Sequence, residues 1–511
     1  MTKLILGLAT LLVVAACGGN DESAATGSGG AAGSAAGSGG GTSGSGGGGG
    51  ATGGVSGSAG TAGSGAAAGA SGGSASPIKP YASNPSYWQL NGAPVLLVGG
   101  SVEDNLFQQN NLEQHLDDIA AAGGNYVRNT MSSRDAGNAH PFKKLPSGKY
   151  DLDQWDDSYW KRFDNFLTWT AARDIIVQIE VWDRFDYSRE QWKPSPYNPG
   201  NNINYTSSES GLAADYPDHP GTNKQPFFKT VPKLQNNVVL LKYQDAVVDK
   251  MLSYTLSHGH VLYTMDNETS GDPAWSGYWA TRIRQAATAA GVQVHTTEMW
   301  DDWDITAKVH NNTFDHPELY SFGDVSQNTH ISDQTHWDRL QAVRQSMAKA
   351  PMPLNNVKIY GADGGPYGDD SDAIERFWRN LVGGLASSRF HRPTAGMGLS
   401  AKVAQHLTAV RVVEQRAKFW DLEPRNDLLG DRQSDEAYLA AKPGQLYVLY
   451  FTNGGSVSLD LSGAAKKFRL DWVDLAKGTW AGASPVTGGS SLVVKAPGSG
   501  PQIAVLDVSQ N

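Results

Sequence analysis

His260-Val261-Leu262-Tyr263-Thr264-Met265-Asp266-Asn267-Glu268-Thr269-Ser270 reads as a buried β-strand that runs out into an Asn-Glu pair and a polar loop. The run behind it, Ala274 to Ala290, has the amphipathic spacing of a helix. A carboxylate at the C-terminal end of a strand, just before a β→α loop, sits where parallel β/α barrels put reacting groups. Glu268 is therefore the first candidate for a catalytic acid. A strand-end Asn-Glu pair also serves to cap a turn, so the neighbouring segments have to decide.

Toward the N-terminus the same alternation continues. Val238 to Ser257 reads as a helix, and Asp174 to Trp182 as a strand. Between them lies a polar excursion, Asp183 to about Leu234, rich in Pro, Asn, Tyr and Gly. Loops this long in a compact domain are usually functional, so a wall or lid over the C-terminal face is expected. Further back come a helix at Tyr159 to Ala172, a strand at Asn125 to Asn129 and a helix at Leu112 to Ala122. Tyr87 to Val98 reads as a hairpin around Asn91-Gly92, a dipeptide suited to a tight turn with positive φ.

Toward the C-terminus, Val292 to Glu298 is a strand that runs into Met299-Trp300-Asp301-Asp302-Trp303. A sixth strand is expected around Leu319 to Phe322, with its helix at His336 to Ala348. The seventh is Val357 to Ala362, ending at Asp363, with a helix starting at Ser371 or Asp372. Arg389-Phe390-His391 and Gly396-Met397-Gly398 bracket the eighth, and Lys402 to Trp420 is a closing helix. About eight β/α units imply a parallel sheet closed into a (β/α)8 TIM barrel. From about Glu436 the pattern changes. Leu446 to Phe451, Ser456 to Leu461, Phe468 to Val473, Ser491 to Val494 and Ile503 to Val505 read as short strands between Gly-rich turns, the signature of a small all-β sandwich.

The first residues carry an address. Lys3, an apolar run and Val14-Ala15-Ala16-Cys17 make a secretory signal ending in small residues before a cysteine. This resembles a bacterial lipobox, which implies a lipidated Cys17, with Gly18 at the next position pointing to the outer membrane. Cys17 is the single cysteine of the chain, so no internal disulfide can form. Gly18 to Ser76 is almost wholly Gly, Ser and Ala, a composition that buries too little apolar surface to order itself and reads as a tether. The expected division is thus 1–17 signal and lipobox, 18–76 tether, 77–430 barrel and 431–511 sandwich.

Net charge is -10 with no basic cluster, which argues against nucleic acid and against a polybasic membrane patch. The 15 Trp and 19 Tyr, beside Asn and Asp, suit stacking on sugar rings, although most aromatics end in cores. Trp182, Trp300 and Tyr360 stand at strand ends, where a sugar platform or plain packing is expected. Asp183 and Asp301 would bond hydroxyls or simply face water. Arg128 would hold a carboxylate of the site or form a salt bridge inside the barrel. Zinc-helix, phosphate-loop and nucleophile-elbow motifs do not occur in the sequence, and the acidic run Asp363 to Asp372 lacks calcium-loop spacing. No cofactor or metal is implied, and oligomeric state is not encoded in any recognisable pattern.

The barrel resembles the apiosidase-like glycoside hydrolases and, more distantly, the clan of retaining (β/α)8 glycosidases that includes cellulases. The likeness rests on Trp88-Gln89-Leu90-Asn91-Gly92 with Val95 to Gly100, Val127-Arg128-Asn129, Asn267-Glu268, and Arg376-Phe377-Trp378-Arg379-Asn380 with Ala386 to Pro393. Tyr450, Gly454-Gly455, Leu459-Asp460-Leu461, Trp472 and Gly478 resemble a β-sandwich of the collagen-binding type, a label that names a fold and not an affinity. The resemblance implies a carbohydrate substrate, Glu268 as general acid/base and Asn267 on the sugar 2-hydroxyl. It also implies a Glu at the end of strand seven, and here the sequence departs: Val357 to Gly365 holds Lys358 and no Glu. Asp363 would serve as the second carboxylate, or Glu298 would, or the site is inactive and the chain is a surface lipoprotein that only binds sugar through the barrel or adheres to a matrix through the β-sandwich. A carboxylate separation of about 5–5.5 Å predicts retention and one of about 6.5–9.5 Å inversion.

Overall fold

The computed structural model describes residues 76–362 and 367–509. Cys17 and the tether, and Asp363, lie outside the described residues.

Eight parallel strands form the barrel: β1 (Leu97–Gly100), β2 (Tyr126–Thr130), β3 (Ile176–Asp183), β4 (Val261–Asn267), β5 (His295–Thr297), β6 (Gly323–Asp324), β7 (Leu354–Asn355) and β8 (Ser387–Phe390). β2 to β5 pair in sequence order, β6 pairs with β7, and β8 returns to β1. Backbone hydrogen bonds outside the paired strands close the ring between these groups. Asn125 N–H donates to the Val98 carbonyl at 2.9 Å, Ser321 N–H to Thr296 at 3.0 Å, and Ala386 N–H to Leu354 at 3.0 Å. Around the strands pack α1 (Leu112–Ala121), α2 (Asp157–Ala171), α3 (Val238–Thr255), α4 (Pro273–Ala289), α5 (Asp333–Ser346), α6 (Asp370–Val382) and α7 (Ala401–Glu414). The unit after β5 has only the one-turn helices Lys308–His310 and Asn311–Phe314.

Two strands fall a few residues from their expected places. Leu319 and Tyr320 turn back on His316, so β6 starts only at Gly323, which is squeezed between Phe314 and Leu354. The β7 pairing lies before Val357; Ile359 makes a lone bridge to Phe390 and the chain then bends at Gly361 (φ 127°) and Ala362 (φ 81°).

The N-terminal hairpin, Asn84–Leu90 with Ala93–Val95, turns at Asn91 (φ 53°) and Gly92 (φ 82°), as its Asn-Gly pair requires. It carries Trp88 into the bottom of the barrel. The indole is fully buried, donates to Asn355 Oδ1 at 2.9 Å and packs edge-on against His295 and Phe322. Above this plug lies a polar layer. Gln178 Nε2 donates to Thr264 and Asp324 at 2.9 and 2.8 Å, and Asn355 Nδ2 to the Tyr126 hydroxyl at 2.9 Å. Such a layer is tolerable only because its members satisfy one another.

The excursion after β3 is a packed wall. Tyr187, Trp192, Tyr197, Tyr205, Phe227 and Phe228 are all buried, and Tyr187 stacks on Phe227 at 3.8 Å. Arg184 ties it to the β4 exit, donating to Ser270 Oγ at 2.7 Å and Asn223 Oδ1 at 2.8 Å.

The C-terminal part is a six-stranded antiparallel sheet facing a three-stranded one. The larger runs Glu423–Pro424, Ala437–Lys442, Leu446–Phe451, Gln502–Val508, Lys467–Asp474, Thr479–Thr487; the smaller pairs Leu429–Gly430, Ser456–Asp460 and Ser491–Lys495. Both faces of the larger sheet are covered. Leu439, Leu449, Phe451 and Leu506 face the smaller sheet, while their neighbours Tyr438, Val448, Tyr450 and Val505 pack with the barrel helices. Period-two alternation here separates two cores rather than core from water.

Candidate active site

The site forms where β4 ends. Asn267 is buried, and at Glu268 the backbone swings to φ 52°. A non-glycine residue in the left-handed region costs about 1–3 kcal/mol and is held only where its surroundings over-determine it, commonly at functional sites. What holds Glu268 comes from beyond β7. Lys358 Nζ donates to Asn267 Oδ1 at 3.0 Å and makes a short ion pair with Glu268 Oε1. The Tyr360 hydroxyl donates to the same oxygen at 3.3 Å. Lys358 is 2% exposed and the Glu268 side chain 14%. Burial alone would push the Glu268 carboxyl up; the Lys358 ammonium outweighs it and holds the carboxyl down at about 2. Glu268 is thus a carboxylate across the working pH range. In this form it accepts a proton, whereas the donating half of the acid/base role implied by the resemblance needs the protonated form.

Tyr360 packs edge-on against His330 at 5.2 Å, and His330 stacks flat on Trp303 at 4.3 Å. Burial pushes His330 down to about 4, so it is neutral. Trp303 is 42% exposed, with one ring face taken by His330. Trp303 and Asp301 both lie on the β5 exit. That exit is laddered to the β4 exit: Thr269 N–H donates to Met299 at 2.8 Å and Asp301 N–H to Thr269 at 2.9 Å.

The other expected residues are placed differently. Arg128 is buried beneath the mouth, gripping Glu180 with two bonds of 2.6 Å and Asp104 at 2.7 Å. Asp183 is buried, paired with Arg134, and caps the turn at Phe185. Trp182 and Trp300 do not meet the site. Trp182 points outward into Tyr187, Phe227, Trp275 and Trp279, and the Trp300 indole donates to Thr313 at 2.9 Å. Glu298 is 1% exposed, accepts from the N–H groups of Asp266 and Met299 at 2.9 and 2.8 Å, and is pushed up to about 8 by burial. It braces the backbone behind the mouth. Sequence reasoning passed over Lys358 as a partner of Glu268, and over Trp303 and His330. The Lys at the strand-seven position was the one readable signal.

No protein-family model and no curated protein matches the chain. Solved structures do. A glycoside hydrolase family 5 protein from Bacteroides vulgatus superposes with a TM-score of 0.56 at 13% identity, covering 84% of this chain and 93% of its own. Another glycoside hydrolase gives 0.57 at 11%, covering 85% and 98%. At such identities the likeness establishes the fold alone: a (β/α)8 barrel, followed in this chain by a β domain.

Proposed function

We propose that the chain is a glycoside hydrolase that cuts a poly- or oligosaccharide with two carboxyl groups, Glu268 being one. The carrying observation is the Asn267-Glu268 pair, strained and pinned by Lys358 and Tyr360 at the C-terminal mouth of a barrel shared with glycoside hydrolases. The exposed part of Trp303 suits a sugar ring. Cys17, read as a lipidation site, would put the enzyme on the bacterial cell envelope. Reducing-sugar release from a panel of plant and microbial polysaccharides tests the activity. Glu268→Gln should abolish it; unchanged turnover removes Glu268 from the mechanism.

One observation favours a second reading. A lysine pairs with Glu268 from the place where the clan resemblance implies the other carboxylate. A sugar-binding protein without turnover would show affinity for a polysaccharide in the same panel and release no sugar from it.

A further inference from the structure

We infer that Asp301 gives the proton to the leaving oxygen, with Glu268 as its partner carboxylate, on the reading that this site hydrolyses glycosidic bonds.

Among the described residues the geometry narrows the choice. Glu180 and Asp104 are committed to Arg128, Asp183 to Arg134, and Asp266 and Glu298 are buried behind the mouth. Asp301 is exposed, and its carboxyl makes no ion pair among the described residues. The β-ladder fixes where it stands. Thr269, the residue after Glu268, bridges Trp300, the residue before Asp301. Asp301 Oδ2 leans toward the excursion wall, 3.8 Å from the Cβ position of Gly221, beside His219. A sugar lying against Trp303 would therefore meet Asp301 and Glu268 on adjoining strand exits.

The electrostatics agree. Desolvation by the surrounding walls, and next the Glu268 charge, push the Asp301 carboxyl up to about 7. Lys358 and Arg184 pull against this, and Asp302 on its own loop adds to it. Two neighbouring carboxyls with well-separated affinities for a proton are what acid and base roles require. In the step, Asp301 transfers its proton to the glycosidic oxygen as the C1–O bond breaks, and that oxygen keeps the bonding pair. Water forms the new C1–O bond and passes a proton to Glu268. Glu268 returns that proton through solvent to Asp301, leaving the sum of one glycoside and one water converted to a hemiacetal and an alcohol.

The test uses the full chain and two classes of probe: 2,4-dinitrophenyl glycosides, whose leaving group needs no acid, and unactivated oligosaccharides. Asp301→Asn is expected to lose about 10²–10⁴-fold in kcat/KM on the unactivated substrates, but under tenfold on the dinitrophenyl ones. Equal losses on both overturn the donor role while leaving hydrolysis intact. Wild-type protein that cleaves neither class removes the glycosidase reading itself, and the donor role with it. A carbon-13 titration of the Asp301 carboxyl, assigned with Asp301→Asn, needs no substrate. A midpoint near 7 that falls in Glu268→Gln supports the inference, and a midpoint near that of an ordinary aspartate overturns it.

Discussion

Lys358 is the residue on which the chemistry of the mouth turns. Its ammonium is what keeps Glu268 ionised against burial. Lys358→Met should therefore let the Glu268 carboxyl rise past its ordinary 4.5, moving the acidic limb of kcat/KM up from near 2. In the native protein the depressed carboxyl stabilises the fold above 4.5, and that contribution is lost as pH falls through about 2. Breaking a buried pair costs about 3–5 kcal/mol, readable by denaturant titration at neutral pH. Glu298 has the opposite sign. It keeps its proton to about 8 in the folded chain and gives it up near 4.5 once unfolded, so stability falls as pH rises between those values. Glu298→Gln should flatten that fall in a series of melting temperatures. Asn267 and Glu268 were legible because a strand end before a loop is a local pattern. The roles of Trp182 and Trp300 were not, because one step along a strand decides between cleft and core.

At the scale of elements, β1 exists because two glycines let it touch its neighbours. A Cβ on Gly99 would lie 2.0 Å from the Tyr126 carbonyl oxygen, and one on Gly100 2.2 Å from that of Gly398. Backbone cannot yield there as a side chain would. Gly99→Ala should cost about 3 kcal/mol or more, seen as a lowered denaturation midpoint or loss of soluble protein. Most long helices were readable to within a few residues from amphipathic spacing, but the cap of α6 is Asp369 rather than Ser371 or Asp372, and α7 ends at Glu414 rather than Trp420. The short strands β6 and β7 were not, because two paired residues leave no period to read. Ala437–Lys442 escaped notice for a related reason: its alanines lack the branched side chains that mark a strand, and tertiary packing supplies what propensity does not.

The whole molecule is held by the sheet that serves two cores. Trp378 of α6 stacks on Tyr450 at 6.0 Å, and Trp337 of α5 meets Tyr438 at 4.7 Å. Arg416, just beyond α7, grips Asp507 with bonds of 2.9 and 2.6 Å and Asp471 at 3.0 Å. Removing residues from 431 onward would strip α5, α6 and α7 of this cover and expose Trp337 and Trp378. The shortened protein is expected to aggregate or to melt well below the intact chain in calorimetry, whereas loosely joined domains would leave the barrel's transition unchanged.

The aromatic wall after β3 has a consequence for turnover. Stacked rings fixed to the β4 exit by Arg184 make this side of the mouth a packed wall rather than a flap. On the glycosidase proposal, a sugar would dock against a wall already in its final shape, so little ordering entropy would be surrendered on arrival. The slow event should then be bond cleavage rather than a loop's opening, and kcat in sucrose-thickened buffer should stay flat as viscosity climbs.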